Sequence, residues 1–417
     1  MLTFYNIGIH FFFLLASLAA LFNNKAKLWI EGRKNWKNKW ESIPEEKTVW
    51  FHFASLGEFE QGKPLIERIR GMFPDKKIVI TFFSPSGYEV RKNSHLGDYI
   101  LYLPLDTKSN ARDFLRIFNP EIAFFNKYEY WFHFFKETHQ AGIPLYVTSA
   151  IFRPNQIFFK SYGSFNRRIL SYASHFFVQN KQSEELLSKI GLNNHTLSGD
   201  TRFDSVNDLA KKLKDLPFID SFSGRHQLFI IGSSWPEDEA NLSPWITKNF
   251  GSWKAMFAPH EIDEERIEQI IKLFPKGSVI RHSQIADQEL SNYHVMIIDN
   301  IGMLSTLYSK ADLTYIGGGF NKSGIHNTLE AAAWGKAVVF GPNYHKFQEA
   351  KDLVDIQAGF SYSTQQELNS VLDKLAFDEN YRNQAAKKAK EYVALNIGAS
   401  EIIINKIYGN LSAKGLI

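Results

Sequence analysis

From Thr48 onward, short apolar runs alternate with longer amphipathic stretches, and the pattern is laid down twice. The first series passes through 48–54 (TVWFHFA), 77–83, 99–103, 121–126, 144–149 and 174–179. The second passes through 227–232 (QLFIIG), 254–258, 278–281, 294–298, 312–317 and 337–341. Runs this short with no polar alternation suit strands covered on both faces, and helix-like segments such as 60–72 and 108–118 separate most of them. The order predicts an α/β protein with two Rossmann-type doubly wound domains facing a cleft, at 48–204 and 227–417. The second ends in helices from about 364 to 409. The polar stretch 205–226, with Pro217 and Gly224, reads as the linker. Such folds bind ligands outside the carboxyl ends of their strands.

Composition excludes several classes. Lys+Arg 48 against Asp+Glu 44 leaves no concentrated basic field, so no nucleic-acid partner is expected. With no cysteine, disulfides, thiolate metal sites and a Cys nucleophile are ruled out.

The N-terminus is a separate problem. Residues 4–22 (FYNIGIHFFFLLASLAALF) are interrupted only by Asn6, His10 and Ser17. As a helix they span roughly 28 Å, near the thickness of a bilayer's hydrocarbon. The chain then turns basic, with Lys25, Lys27, Arg33, Lys34, Lys37 and Lys39 against Glu31, interleaved with Trp29, Trp36 and Trp40. Met1–Tyr5 carries no basic side chain, which argues against a cleaved signal peptide. A core helix or an in-plane interfacial helix remains open. The favoured reading is a single anchor helix at 1–24 and a basic juxtamembrane segment at 25–47, with the rest of the chain cytoplasmic.

Several constellations can carry chemistry. Ala54-Ser55-Leu56-Gly57-Glu58 follows the first strand and sets one carboxylate at the sheet's carboxyl edge, where it can serve as a general base. The plain alternative is an acidic residue favoured in a first helical turn. Gly317-Gly318-Gly319 leads through His326-Asn327-Thr328-Leu329-Glu330, a glycine-rich loop running from a strand into a helix. Its bare amides suit a phosphate, and Glu330 suits a ribose diol. Asn327 with Glu330 also fits a capping box, and no G-K-[ST] follows to make a Walker A loop. Ser233, in Gly232-Ser233-Ser234, opens the second domain at a position suited to a phosphate or sugar contact, or to a helix cap. Pro259-His260 ends a later strand, where the His can meet a phosphate or a base. A zinc site built on His260 and His326 is rejected for want of a ligand spacing, and no Asp-x-Asp pair is present to hold a divalent ion. Arg153 and Gln156, followed by Lys160, Arg167 and Arg168, form a cationic, aromatic-rich stretch suited to an anionic amphiphile, or simply to a solvated face.

Together these pieces resemble the bacterial 3-deoxy-D-manno-oct-2-ulosonic acid (Kdo) transferases of lipopolysaccharide assembly. The likeness is carried by Ser55-Leu56-Gly57-Glu58, Glu129-Tyr130-Trp131, Gly199 through Asp204, Gly232-Ser233-Ser234, Asp299 through Leu304, Gly317 through Glu330, and Gly341-Pro342. It implies a GT-B glycosyltransferase at the cell inner membrane. That enzyme would transfer Kdo from CMP-Kdo to a lipid A precursor (lipid IVA) with inversion, and with neither cofactor nor metal. By the same likeness Glu58 is the base. Arg202 stands where the family has a Lys that stabilises the transition state. Pro259, His260, Ile301, Gly302, Met303, Asn327, Thr328, Leu329 and Glu330 fall on the segments that hold CMP. Glu129, Arg153 and Gln156 are expected on the acceptor side. The chain departs from the family pattern at Lys127, His260 and Met303, where a Glu, an Arg and a Glu are usual. Two other readings stay open: a nucleotide-sugar 2-epimerase-like isomerase of the same fold, and a catalytically silent, membrane-tethered CMP-binding protein.

Overall fold

The computed structural model describes residues 1–40, 43, 46–211 and 215–413, with side chains of the last helix described to Gly409. The apolar runs are strands. The first sheet holds β1 (Thr48–Phe53), β2 (Lys77–Phe82), β3 (Tyr99–Tyr102), β4 (Pro120–Asn126), β5 (Leu145–Ala150), β6 (His175–Val178) and β7 (His195–Leu197). They lie in the order β3-β2-β1-β4-β5-β6-β7, all parallel. The second holds β8 (Gln227–Ser234), β9 (Trp253–Pro259), β10 (Val279–Arg281), β11 (Val295–Ile297), β12 (Leu313–Ile316), β13 (Val338–Phe340) and β14 (Gly359–Ser361). Its order is β10-β11-β9-β8-β12-β13-β14, again parallel. Strand order reverses between β1 and β4 in one sheet and between β8 and β12 in the other. By topology alone, these crevices are where a doubly wound sheet binds its ligands.

Burial of both faces of the strands explains the abundance of Phe. Alternate residues of β1 point to opposite faces. Trp50 packs with Phe114, Phe125 and Phe134 on one face. Phe51 and Phe53 join Phe59 and Phe124 on the other.

The chain divides into two compact units, Met1–Ser205 with Ile397–Ile417, and Val206–Asn396. The final helix, Ala399–Ala413, therefore groups with the first unit, whereas the sequence reading ran the second domain to residue 417. Ile403, Ile404 and Ile407 are buried among Val49, Ile66 and Phe177. The Asp204 carboxylate accepts from the Gly398 and Ser400 amides, each at 2.6 Å, at the start of that helix. The expected linker 205–226 contains the end of helix Thr201–Ala210 and the helix Phe218–Ser223, whose Ile219 and Phe222 are buried. Positions 212–214 of that linker lie outside the described residues, as do 41, 42, 44 and 45 of the basic segment.

Helix Leu2–Ala19 is long and apolar enough, by length and composition, to cross a membrane, and none of its residues is fully buried. Helix Asn24–Glu31, capped by Asn23, follows it.

Candidate active site

In the first unit, the carboxyl ends of β1 and β4 converge at the switch point. The chain leaves β1 through Ala54 and Ser55, and Glu58 lies in the first turn of helix Leu56–Met72. Its carboxylate turns back on the strand end and accepts from the Ala54 amide at 2.6 Å. Burial, with help from the nearby Glu129 charge, pushes the Glu58 carboxyl up to about 7; the Ala54 amide and Lys127 oppose this. A carboxyl with a pKa near 7 is suited to accept a proton near neutral pH.

Glu129 sits on the loop after β4. It accepts from Trp131 Nε1 at 2.9 Å and lies 3.2 Å from Nε2 of the fully buried His52, whose other ring nitrogen is held by Thr81 Oγ1 at 2.9 Å. Lys127 enters this loop with a positive φ of 55°, and its amide donates to Thr148 O.

Behind Glu58 runs a polar chain. Asn126 donates both to the Glu58 carbonyl and to Gln61 Oε1, at 3.2 Å each, and Gln61 donates to Asp200. Asp200 grips Arg202 through Nε at 2.8 Å and Nη2 at 2.7 Å. Burial would raise the Asp200 carboxyl, but Arg202 and Lys127 hold it below the ordinary carboxylate range. Arg202 is thereby fixed at the edge carrying Glu58. Burial raises the Tyr128 phenol against the pull of Arg153 and Arg202, while Glu58 adds to the rise; the Arg153 guanidinium lies 5.9 Å from the Tyr128 ring. The structure thus brings Glu58, Glu129, Arg202 and Arg153 to one edge. Gln156 turns inward, its Oε1 accepting from the Arg153 amide at 2.9 Å and fixing that loop.

In the second unit, the ends of β8, β9 and β12 meet at the other switch point. Ser233 adopts a positive φ of 52°, and His260, just past Pro259, donates its amide to Ser234 O at 3.0 Å. Trp235 stacks on His260 with centroids 4.8 Å apart and donates from Nε1 to His326 Nε2 at 3.1 Å. Burial, then the neighbouring His260, pushes the His326 imidazole down to about 4, which keeps that ring neutral as the acceptor this contact needs. The His260 and His326 rings lie 4.5 Å apart, but no group of three metal-ligating side chains occurs among the described residues.

The glycine loop departs from its sequence reading. The Gly317 amide donates to Gly232 O and the Gly318 amide to Asp238 Oδ2 at 2.8 Å, so neither is bare for a phosphate. The glycines serve close approach. A Cβ on Gly317 would lie 2.2 Å from Ser233 O, and one on Gly319 would lie 2.5 Å from the Gly341 backbone. Asp238 organises the turn, accepting also from the Trp235 amide and from Tyr315 OH. The helix beyond begins at Leu329, with Thr328 rather than Asn327 at its cap position. Asn327 Oδ1 accepts from the Leu329 amide at 3.1 Å, and Asn327 Nδ2 donates to Glu330 at 3.1 Å. The Thr328 hydroxyl is buried without a protein partner. Ile301 and Gly302 are exposed, and Met303 precedes helix Leu304–Lys310, whose Tyr308 lies against Gly232. Trp235 and Asp238 were not singled out in the sequence; a Trp directly after a strand-end Ser pair was the available signal.

Comparisons with known proteins bear on family likeness and on the fold. Residues 32–205 match the family model described as 3-deoxy-D-manno-octulosonic-acid transferase (kdotransferase). The chain is 26% identical over 364 residues to a 3-deoxy-D-manno-octulosonic acid transferase of Chlamydia trachomatis serovar D, covering 84% of this chain and 82% of that one. It is 25% identical over 330 residues to the transferase of the same name from Aquifex aeolicus, covering 78% and 85%. Among solved structures, UDP-GlcNAc 2-epimerase of Neisseria meningitidis superposes with a TM-score of 0.61 at 18% identity, covering 87% of this chain and 100% of that one. Acinetobacter baumannii MurG gives 0.54 at 13%, covering 87% and 99%. At these identities the structural likeness establishes the two-domain GT-B-type fold alone.

Proposed function

We infer that this chain, a relative of the Kdo transferases, moves Kdo from CMP-Kdo to a lipid A precursor, lipid IVA, on the cytoplasmic side of the inner membrane. The observation that carries this reading is the Glu58 carboxyl, held at the end of β1 and raised to about 7. In the reaction, Glu58 takes the proton of the attacking acceptor hydroxyl. That oxygen bonds to the anomeric carbon from the face opposite the donor phosphate. The bond from carbon to phosphate oxygen breaks, its electron pair leaves with CMP, and configuration inverts. Arg202, pinned by Asp200, supplies positive charge for the transition state. Arg153 and the Tyr128 face suit the anionic headgroup of the acceptor.

The second unit holds the nucleotide in this reading. Ser233, His260 and the Asn327–Glu330 turn lie near the β8/β12 crevice, and Trp235 with His260 offers a flat surface to a base. A monophosphate leaving group asks for less counter-charge than a diphosphate, so the proposal includes neither metal nor cofactor. His260 stands where the family pattern has an Arg.

The test is incubation of the full chain with CMP-Kdo and tetraacylated lipid IVA, followed by mass spectrometry of the lipid. A mass gain of one or more Kdo units supports the reading. Conversion of a free nucleotide sugar without acceptor would replace it with the isomerase. CMP binding with an unchanged lipid would leave a silent binding protein.

A further inference from the structure

We propose that helix Leu2–Ala19 lies in the plane of the bilayer surface as a docking face and does not span it. The argument starts from two polar residues in an otherwise apolar helix. Tyr5 donates its hydroxyl to Asp106, and Asn6 Oδ1 accepts from His133 Nε2 at 2.7 Å. Farther along, Phe12 packs edge-on against Trp29 at 5.4 Å and stacks on Phe83 at 6.4 Å. Both the start and the middle of the helix are therefore fastened to the first globular unit. A span would carry Tyr5 to the far side of the hydrocarbon, together with the buried Asp106 and the chain around it.

The half-buried positions Tyr5, Asn6, Ile9, Ala16, Ser17 and Ala20 recur at helical spacing and mark the inner face. The outer face carries Phe4, Ile7, Phe11, Leu14, Leu18 and Phe22, all exposed, at steps of three and four residues. That is the unpartnered apolar stripe of an interfacial helix. The turn after it is also fixed. Arg33 is buried beneath Trp29 and donates to the carbonyls of Trp29, Phe83 and Leu103, so helix Asn24–Glu31 cannot swing away as a free linker would.

Charge complementarity selects the occupant of the stripe. Lys25, Lys27, Lys34 and Lys39 follow the helix and are exposed, which suits an anionic lipid surface better than a neutral protein. The placement has a consequence. Phe83, Asp106 and His133 follow β2, β3 and β4, so the helix runs along the carboxyl edge of the first sheet. From the lipid side, Phe12 touches Phe83, Phe83 stacks on Trp131 at 5.2 Å, and Trp131 donates to Glu129. The edge that carries Glu58 is thus presented at the headgroups, where a lipid hydroxyl is reached without leaving the membrane.

The inference rests on the membrane-residence part of the reading above, not on the transfer chemistry. The chain contains no cysteine, so single-cysteine labelling is direct. Full-length Thr3→Cys and Lys25→Cys proteins are treated with a membrane-impermeant maleimide in inverted inner-membrane vesicles and in intact spheroplasts. Docking in the plane predicts labelling of both positions in inverted vesicles and of neither in spheroplasts. Labelling of Thr3→Cys from the outside alone overturns it. With purified protein, Phe11→Glu/Leu14→Glu should weaken binding to phosphatidylglycerol-rich vesicles at least tenfold while CMP binding is retained. Unchanged vesicle binding, or a dimer that buries the stripe and ignores vesicles, also overturns it. Loss of Kdo transfer with the labelling pattern intact would strike the transfer reading alone.

Discussion

Glu58 stays protonated to near neutrality because burial and the Glu129 charge both disfavour its ionised form, and the Ala54 amide only partly compensates. In its proposed role as base Glu58 must be ionised to act, so transfer should fall as pH drops through about 7. Glu129→Gln removes a like charge while keeping hydrogen-bonding capacity toward Trp131. The acid limb of the pH–rate profile should then move to lower pH; an unmoved limb would detach Glu129 from this role. The same shift bears on stability. A folded-state carboxyl raised above its unfolded value contributes stability below the unfolded value, and that contribution is lost as pH rises through the folded one. Glu58→Gln should therefore match the wild type in urea unfolding below pH 4 and exceed it at pH 8 by up to about 3 kcal/mol. Glu58 was legible in the sequence because a strand, a turn and a carboxylate are consecutive. Its supports were not, because Asn126, Gln61 and Asp200 meet only once β1, β4 and the start of helix Thr201–Ala210 are assembled.

At the scale of elements, buried parallel strands announce themselves as unbroken apolar runs, and each run read from the sequence corresponds to a strand. β7 and β14 escaped. At the sheet edges, the triplets His195–Leu197 and Gly359–Ser361 are too short and too mixed to make a run. The glycine loop shows a subtler limit. Sequence tells where glycine is dense but not whether it frees amides or permits contact, and here the contact with Ser233 and Gly341 decides. Gly319→Ala would force a Cβ into the Gly341 backbone, at a cost of about 1–3 kcal/mol. CMP affinity should fall with it and acceptor binding should not. Thermal melting and CMP titration would check this, and an unaltered melt would remove the packing role.

For the whole molecule, the return of the final helix to the first unit has no local signature, because its isoleucines read equally well as the end of the second domain. The burial of Ile403, Ile404 and Ile407, and the Asp204 carboxylate at its start, fix its home. Asp204→Ala leaves those amides uncapped and should cost about 1–2 kcal/mol of folding stability by urea titration. The loss should appear in first-unit probes such as Trp50 fluorescence rather than in CMP binding. The central claim is the base, and one comparison tests it most directly. Wild type and Glu58→Gln are assayed side by side for Kdo transfer to lipid IVA and for CMP affinity by calorimetry. The account predicts CMP affinity unchanged within twofold and transfer reduced by about 10²–10⁴. Transfer by the Gln variant at the wild-type rate would contradict it.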